Sequence, residues 1–317
     1  MMLVRCSRWR PKATTLGVLT LVAAWGLMVT GCQPRASAGQ DGSSWGHRTS
    51  TTGPTAGSQR GALQGTVIVA LGDSFSAGEG DAPYDPNAPG CDRGSDAWPR
   101  VLGQRITGST VTLLACSGAS TSAFTQSFHN QPAQLTALRS LVATGVKPSV
   151  VTITIGGNDA SFGSTLLSCV VFRCFWTGDD STLVHFVDDT LPGRLSSVYS
   201  QVKAAVPGAR VVVVGYPDLV PTWGEKNTCG WLNTTNRSQL SSLNSDINRA
   251  ARRAARTADV GFVSLDRALK GHELCTSDSW LYPVGIHLSG TDGSAHPNAQ
   301  GRQAMADTVY SYLSQRS

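Results

Sequence analysis

Short apolar runs rich in β-branched residues recur along the chain from about residue 65, and longer stretches with helical periodicity separate them. The runs are Val67–Leu71, Val111–Leu114, Val150–Ile155, Val211–Val214 and Gly261–Leu265. The helix candidates are Ala97–Thr107, Ala133–Thr144, Leu183–Val206, Ser238–Thr257 and Asn298–Leu313. Each run is apolar almost throughout, which is typical of parallel strands covered on both faces. Alternating strands and helices predict βαβ crossovers and therefore an α/β fold with a doubly wound sheet.

The first residues have the pattern of an export signal. An uncharged apolar run over residues 13–30 follows four basic residues, Arg5, Arg8, Arg10 and Lys12. The run ends in Val-Thr-Gly before Cys32, which resembles the lipobox of bacterial lipoproteins. We therefore expect residues 1–31 to be a lipoprotein signal peptide and Cys32 to carry lipid. An ordinary signal peptide with a coincidental cysteine, or an uncleaved membrane span, are the alternatives.

Composition divides the rest of the chain into two parts. Residues 32–64 are rich in Gly, Ser, Thr, Pro and Gln and hold few apolar residues, so they cannot bury enough surface to offset the entropy of ordering. We expect a flexible tether there. Residues 65–317 are expected to form one domain, because their length suits a single sheet with its helices.

The charge balance excludes some partners. The whole chain has a formal net charge of +5, but residues 1–31 contain four of the 26 basic residues and none of the 21 acidic residues. The remainder is nearly neutral and has neither a basic stripe for nucleic acid nor a polybasic membrane patch. We expect a monomer that binds no nucleic acid and contacts the membrane only through the N-terminal lipid, in an extracellular or cell-surface location.

The cysteines indicate disulfides. Six of them lie beyond residue 32, namely Cys91, Cys116, Cys169, Cys174, Cys229 and Cys275. An even set in an exported chain is typical of a disulfide framework, here three bridges. The spacing of Cys169 and Cys174 is not that of a zinc site, and no second pair lies nearby. The sequence therefore predicts no metal site.

Candidate site residues follow the first three predicted strands, at the strand ends where ligands bind in open α/β sheets. Ser74 lies in a Gly-Asp-Ser sequence after the first run, Gly118 follows the second, and Asn158 lies in a Gly-Gly-Asn-Asp sequence after the third. His296 precedes Pro and Asn in the loop before the last helix candidate. Each motif alone is also an ordinary turn sequence. Together they combine a hydroxyl, a base and donors suited to a developing oxyanion.

These four motifs, in this order from Val67 to Gly301, resemble the signature blocks of the SGNH (GDSL-like) hydrolases. The resemblance implies a three-layer α/β/α sandwich around a parallel, flavodoxin-like sheet of about five strands, in agreement with the pattern above. It also implies that Ser74 is the nucleophile, that His296 is its base, and that Ser74, Gly118 and Asn158 form the oxyanion hole. Asp73 would support the nucleophile turn, and no cofactor is implied.

We therefore expect a secreted or lipid-anchored lipase or esterase that cleaves carboxylic esters through an acyl-enzyme. A carbohydrate deacetylase or a phospholipase on the same fold, or a surface lipoprotein that binds glycan or lipid without turnover, are the alternatives. The resemblance to secreted members of the family also implies a sequential disulfide pairing, Cys91–Cys116, Cys169–Cys174 and Cys229–Cys275.

The residue that orients His296 departs from the family pattern. Many members carry Asp three residues before the histidine, and this chain has Gly293 there, with Asp292 one residue further away. One possibility is that the glycine lets the loop bulge so that Asp292 reaches the ring. The other is that a backbone carbonyl from residues 292–294 takes its place. From the sequence we favour Asp292.

Overall fold

The computed structural model describes residues 63–171, 180–221, 228–285 and 293–315. The predicted signal peptide, nearly all of the tether, and the predicted site residues Cys32, Cys174 and Asp292 lie outside the described residues.

Five strands form a single parallel sheet. They are β1 (Val67–Gly72), β2 (Thr110–Leu113), β3 (Val150–Thr154), β4 (Arg210–Val214) and β5 (Gly261–Val263). Their spatial order is β2-β1-β3-β4-β5, and every neighbouring pair is parallel. The predicted fold class is confirmed. The chain leaves β1 towards one edge and returns at β3 on the other side, so a crevice opens between the carboxyl ends of these two strands.

The helices flank this sheet. They are α1 (Ser74–Ala77), α2 (Trp98–Gln104), α3 (Gln134–Ala143), α4 (Phe162–Val171), α5 (Asp180–His185), α6 (Leu191–Ala205), α7 (Thr234–Thr257) and α8 (Ala299–Ser314). A short 3-10 helix covers Thr121–Phe124, and a π-helical turn, Phe186–Thr190, joins α5 to α6.

Alternate strand residues contribute to two cores on opposite faces of the sheet. Val69 and Leu71 of β1 pack with α3, α6 and α7, whereas Ile68 packs with α2 and α8. Because both faces are covered, β1 and β3 are almost entirely buried. This explains why their sequences are continuously apolar instead of alternating. In the part of the chain that the structure describes, helices therefore cover both faces of the sheet.

Two disulfides join loops near the carboxyl ends of the strands. Cys91 bonds to Cys116, which follows β2, and Cys229 bonds to Cys275. Cys169 is also disulfide-bonded, and its expected partner Cys174 lies outside the described residues. The first bridge is reinforced by the backbone, because the N–H of Ser117 donates to the carbonyl of Cys91 at 3.0 Å. The loop after β2 is thereby attached to the loop after α1.

Candidate active site

The nucleophile candidate Ser74 lies at the sharp turn from β1 into α1. Asp73 caps the helix, and its Oδ1 accepts the N–H of Phe75 at 3.1 Å. Gly72 has φ of +127°, and a Cβ there would lie 2.1 Å from the carbonyl oxygen of Thr154 on β3. Only glycine fits that approach. The backbone thus requires the glycine of the Gly-Asp-Ser sequence, and the turn places the serine at the crevice.

Gln134 fixes the end of β1 from the neighbouring helix α3. Its buried side chain accepts the N–H of Gly72 at 2.8 Å and donates to the carbonyl of the same residue at 2.7 Å. One amide therefore pairs with both backbone groups of the residue two before Ser74, much as an additional strand would. Sequence reasoning missed Gln134, because nothing local distinguishes a buried glutamine at a helix start from a surface one.

The structure brings Ser74 and His296 into direct contact. Nε2 of His296 lies 2.6 Å from Oγ of Ser74, although the residues are 222 positions apart in the sequence. The imidazole ring packs against Phe75, with ring centroids 4.9 Å apart. Both side chains are largely buried, which favours a fixed geometry for proton transfer.

The other ring nitrogen of His296 contacts the backbone. Nδ1 lies 3.0 Å from the carbonyl oxygen of Ser294. If the ring carries its hydrogen on Nδ1, as that acceptor requires, Nε2 is free to accept from Ser74. Asp292, which the sequence favoured for this task, lies outside the described residues.

The loop that carries His296 is held on both sides. Its backbone pairs with Tyr282, which donates to the carbonyl of His296 at 2.9 Å and accepts from Ala295 at 3.0 Å. Arg302 of α8 donates to the carbonyl of Pro297 at 2.9 Å and forms a buried ion pair with Asp81 at 2.8 Å. Because Asp81 belongs to the loop after α1, this pair couples the base to the nucleophile turn.

Three candidate donors follow the ends of β1, β2 and β3. Within the described residues, the N–H groups of Ser74 and Gly118 donate to no protein acceptor. Asn158 uses one amide hydrogen on the carbonyl of Ala119 at 2.9 Å, which leaves its second hydrogen available. The next residue, Asp159, accepts the N–H of Thr121 at 2.8 Å and so connects the loops after β2 and β3. Unpaired donors at this edge are suited to an oxyanion.

A buried polar chain lies beneath the nucleophile. The N–H of Gly157 donates to the Tyr216 hydroxyl at 2.9 Å, and that hydroxyl donates to Oδ2 of Asp73. Burial raises the pKa of Asp73 to about 7, against the lowering effect of the bonds from Tyr216 and Phe75. Burial likewise raises the pKa of Tyr216 well above its usual value. Sequence reasoning missed Tyr216, although its place just after β4 was a usable signal.

Ser74, Asn158 and His296 line one pocket, and its wall is apolar on the side of α4 and α7. The apolar residues of that wall are Phe162, Leu166, Leu219 and Ile247. Phe162 is the large aromatic residue of this wall, whereas Trp98 and Phe124 are buried in the cores. Gly118 is beside Phe128 and outside the described lining of this pocket.

Comparison with known proteins identifies the family of this chain. The model of the GDSL-like lipase/acylhydrolase family matches residues 70–304. The chain belongs to that family. It is 33% identical over 249 residues to a lipase of Streptomyces rimosus, with 76% of this chain and 84% of that protein covered. It is 34% identical over 235 residues to Lipase 1 of Streptomyces coelicolor, with 74% and 81% covered.

Two solved structures of the family are also similar. The extracellular lipase of Streptomyces rimosus superposes with a TM-score of 0.66 at 31% identity, covering 78% of this chain and 99% of the lipase. Phospholipase A1 of Streptomyces albidoflavus gives a TM-score of 0.65 at 33% identity, covering 80% and 100%. The predictions of an SGNH-type fold and of a carboxylic ester hydrolase are confirmed.

Proposed function

We propose that Ser74 and His296 are the catalytic pair of this ester hydrolase. The observation that carries the proposal is the 2.6 Å contact between Nε2 and Oγ at the carboxyl end of β1. His296 takes the proton of Ser74 as Oγ attacks the ester carbonyl, and it returns that proton to the departing alcohol. Water, activated by the same histidine, then attacks the acyl-enzyme and releases the acid.

The oxyanion hole of this mechanism consists of the N–H groups of Ser74 and Gly118 and the free amide hydrogen of Asn158. What supports the assignment is that these donors have no competing acceptor among the described residues and that they project from three adjacent strand ends. Donors fixed before the reaction stabilise the tetrahedral intermediate without reorganisation. The Cys91–Cys116 bridge holds the segment just before Gly118.

The carbonyl of Ser294 orients His296 in the proposed mechanism. Because Nδ1 already has an acceptor at 3.0 Å, replacement of Asp292 by asparagine is expected to lower kcat less than about tenfold, roughly 1.4 kcal/mol of transition-state stabilisation. Steady-state kinetics of Asp292→Asn on a soluble ester measure this. A loss of several orders of magnitude with KM unchanged would instead make Asp292 the orienting group.

We propose a lipid ester as the substrate, with the acyl chain in the apolar pocket beside Ser74. The apolar wall of the pocket supports this choice, since it can make much apolar contact with a long acyl chain and little with an acetyl group. That wall is formed by Phe162, Leu166, Leu219 and Ile247. The names of the relatives, two lipases and a phospholipase A1, point to the same class.

The experiment compares the wild type with Ser74→Ala on p-nitrophenyl esters from acetyl to palmitoyl, on phosphatidylcholine vesicles and on an acetylated glycan. Organophosphate labelling with peptide mapping identifies the nucleophile. We expect label on Ser74 and higher kcat/KM for esters longer than acetyl. Preferred release of acetate from the glycan would favour a deacetylase. A wild type inactive on all three substrates would favour the binding function.

We further propose that the chain is exported and that Cys32 carries the lipid anchor. Support comes from the signal-like residues 1–31, and one relative is described as an extracellular lipase. Among the described residues, no helix is both long enough and apolar enough to cross a bilayer. Cys32→Ser should move the protein from the membrane fraction to the medium in a bacterial host. Retention of Cys32→Ser in the membrane would point to an uncleaved span.

A further inference from the structure

The position where many family members carry the orienting aspartate has no room for a side chain in this protein. Gly293 has φ of +74°, and a Cβ there would lie 2.5 Å from Cα and 3.1 Å from N of Gly80. Neither backbone atom can give way as the end of a flexible side chain would. The loop after α1 therefore fills the space in which an aspartate side chain at position 293 would begin.

The same loop brings a carboxylate to His296. Oε1 of Glu79, the residue just before Gly80, lies 3.8 Å from Nδ1 of His296. The side chains are 11% and 15% exposed, respectively. The backbone of Glu79 is fixed relative to the nucleophile, because its N–H donates to the carbonyl of Ser74 at 3.2 Å. Nucleophile, base and carboxylate thus belong to one connected arrangement.

Glu79 is the carboxylate that faces Nδ1 of the His296 ring. Asp73 is occupied elsewhere, since it lies beneath the nucleophile and accepts the hydroxyl of Tyr216. Among the described residues, Glu79 makes its ion-pair contact within 4.0 Å with His296. A charge this well buried is screened by salt much less than an exposed one.

We propose that Glu79 is a positioning residue that supplies the negative charge opposite His296, while the Ser294 carbonyl sets the direction of the ring. When Oγ of Ser74 gives its proton to Nε2, the imidazole becomes a cation and Nδ1 keeps its hydrogen. A carboxylate at Glu79, 3.8 Å from Nδ1, stabilises that cation, because an opposite charge within about 4–6 Å favours the charged form. The inference rests on the proposed Ser74–His296 mechanism.

Glu79→Gln, Glu79→Asp and the control Asp96→Asn test this role on p-nitrophenyl butyrate. Asp96 is an exposed carboxylate in the same loop, so Asp96→Asn changes the net charge equally without facing His296. We expect Glu79→Gln to lower kcat by about tenfold or more, with KM within about twofold of the wild type. Glu79→Asp should retain more activity than Glu79→Gln, because it keeps the charge.

Thermal unfolding of each variant separates a loss of charge from a loss of structure. The expected result is an unfolding midpoint for Glu79→Gln close to that of Asp96→Asn, despite the difference in kcat. The inference is overturned if Glu79→Gln keeps kcat within about twofold of the wild type, or if Glu79→Asp is as impaired as Glu79→Gln. Ser74→Ala in the same assay tests the underlying mechanism: if it stays active, the proposed function fails, not only the role of Glu79.

Discussion

Ser74→Ala and His296→Ala are each expected to lower kcat by at least about 10⁴-fold, and the double variant is expected to be little worse than either single one. The reason is that the two side chains, in the proposed mechanism, act as a unit across their 2.6 Å contact. Without the base the hydroxyl is a poor nucleophile, and without the hydroxyl the base has nothing to activate. Single-turnover and steady-state kinetics on one soluble ester measure all three variants.

The residual rate has a physical source. If the donors of Ser74, Gly118 and Asn158 form the oxyanion hole, they still bind the developing charge when water replaces the nucleophile, so the double variant should remain above the uncatalysed rate. Losses that multiply in the double variant would mean that Ser74 and His296 contribute independently. That outcome would contradict a shared proton-transfer step.

The strands could be predicted within one or two residues because each has an apolar run, and β1, β3 and β4 are buried almost throughout. The helices were harder. The long candidate Leu183–Val206 is interrupted by the π-helical turn Phe186–Thr190, and α6 begins just after it with Pro192 in its first turn. Pro192 lacks the N–H that a continuous helix would use, so a break was foreseeable there. Helix α4 was missed altogether.

The residues of the candidate site also divide into those that the sequence could predict and those that it could not. Ser74 and Asn158 could be predicted because the ends of parallel strands converge at one edge, so position along the chain indicates position in space. His296 could be predicted from its His-Pro-Asn motif before the last helix. Gln134 and Glu79 could not be predicted, because their contacts arise between loops and helices that no local pattern brings together. Tyr216 was missed although it follows the end of β4. The side chains proposed to meet the substrate left a sequence signal, whereas most of those that hold them in place left little.

The free energy of unfolding is expected to fall by up to about 4 kcal/mol between about pH 4 and about pH 7 on account of Asp73 alone. Burial raises the pKa of its carboxyl from 3.8 to about 7. The folded state therefore keeps a proton that the unfolded chain has already released. The stabilisation from this retained proton is complete at pH values below the pKa that Asp73 has in the unfolded chain. It is lost as the pH rises through the pKa that Asp73 has in the folded protein. Urea unfolding across this range measures it.

Asp73→Asn isolates this contribution, since asparagine does not titrate and the expected fall should then disappear. The substitution also disturbs the bond from Tyr216, but that cost is the same at each pH, because the raised pKa of Tyr216 keeps its hydroxyl protonated throughout. The comparison therefore rests on the slope of stability against pH, not on its absolute value. Asp96→Asn, which changes an exposed carboxylate, should follow the wild-type slope. If Asp73→Asn follows it too, Asp73 is ionised in the folded protein well below pH 7, and its bonds to Tyr216 and Phe75 outweigh its burial.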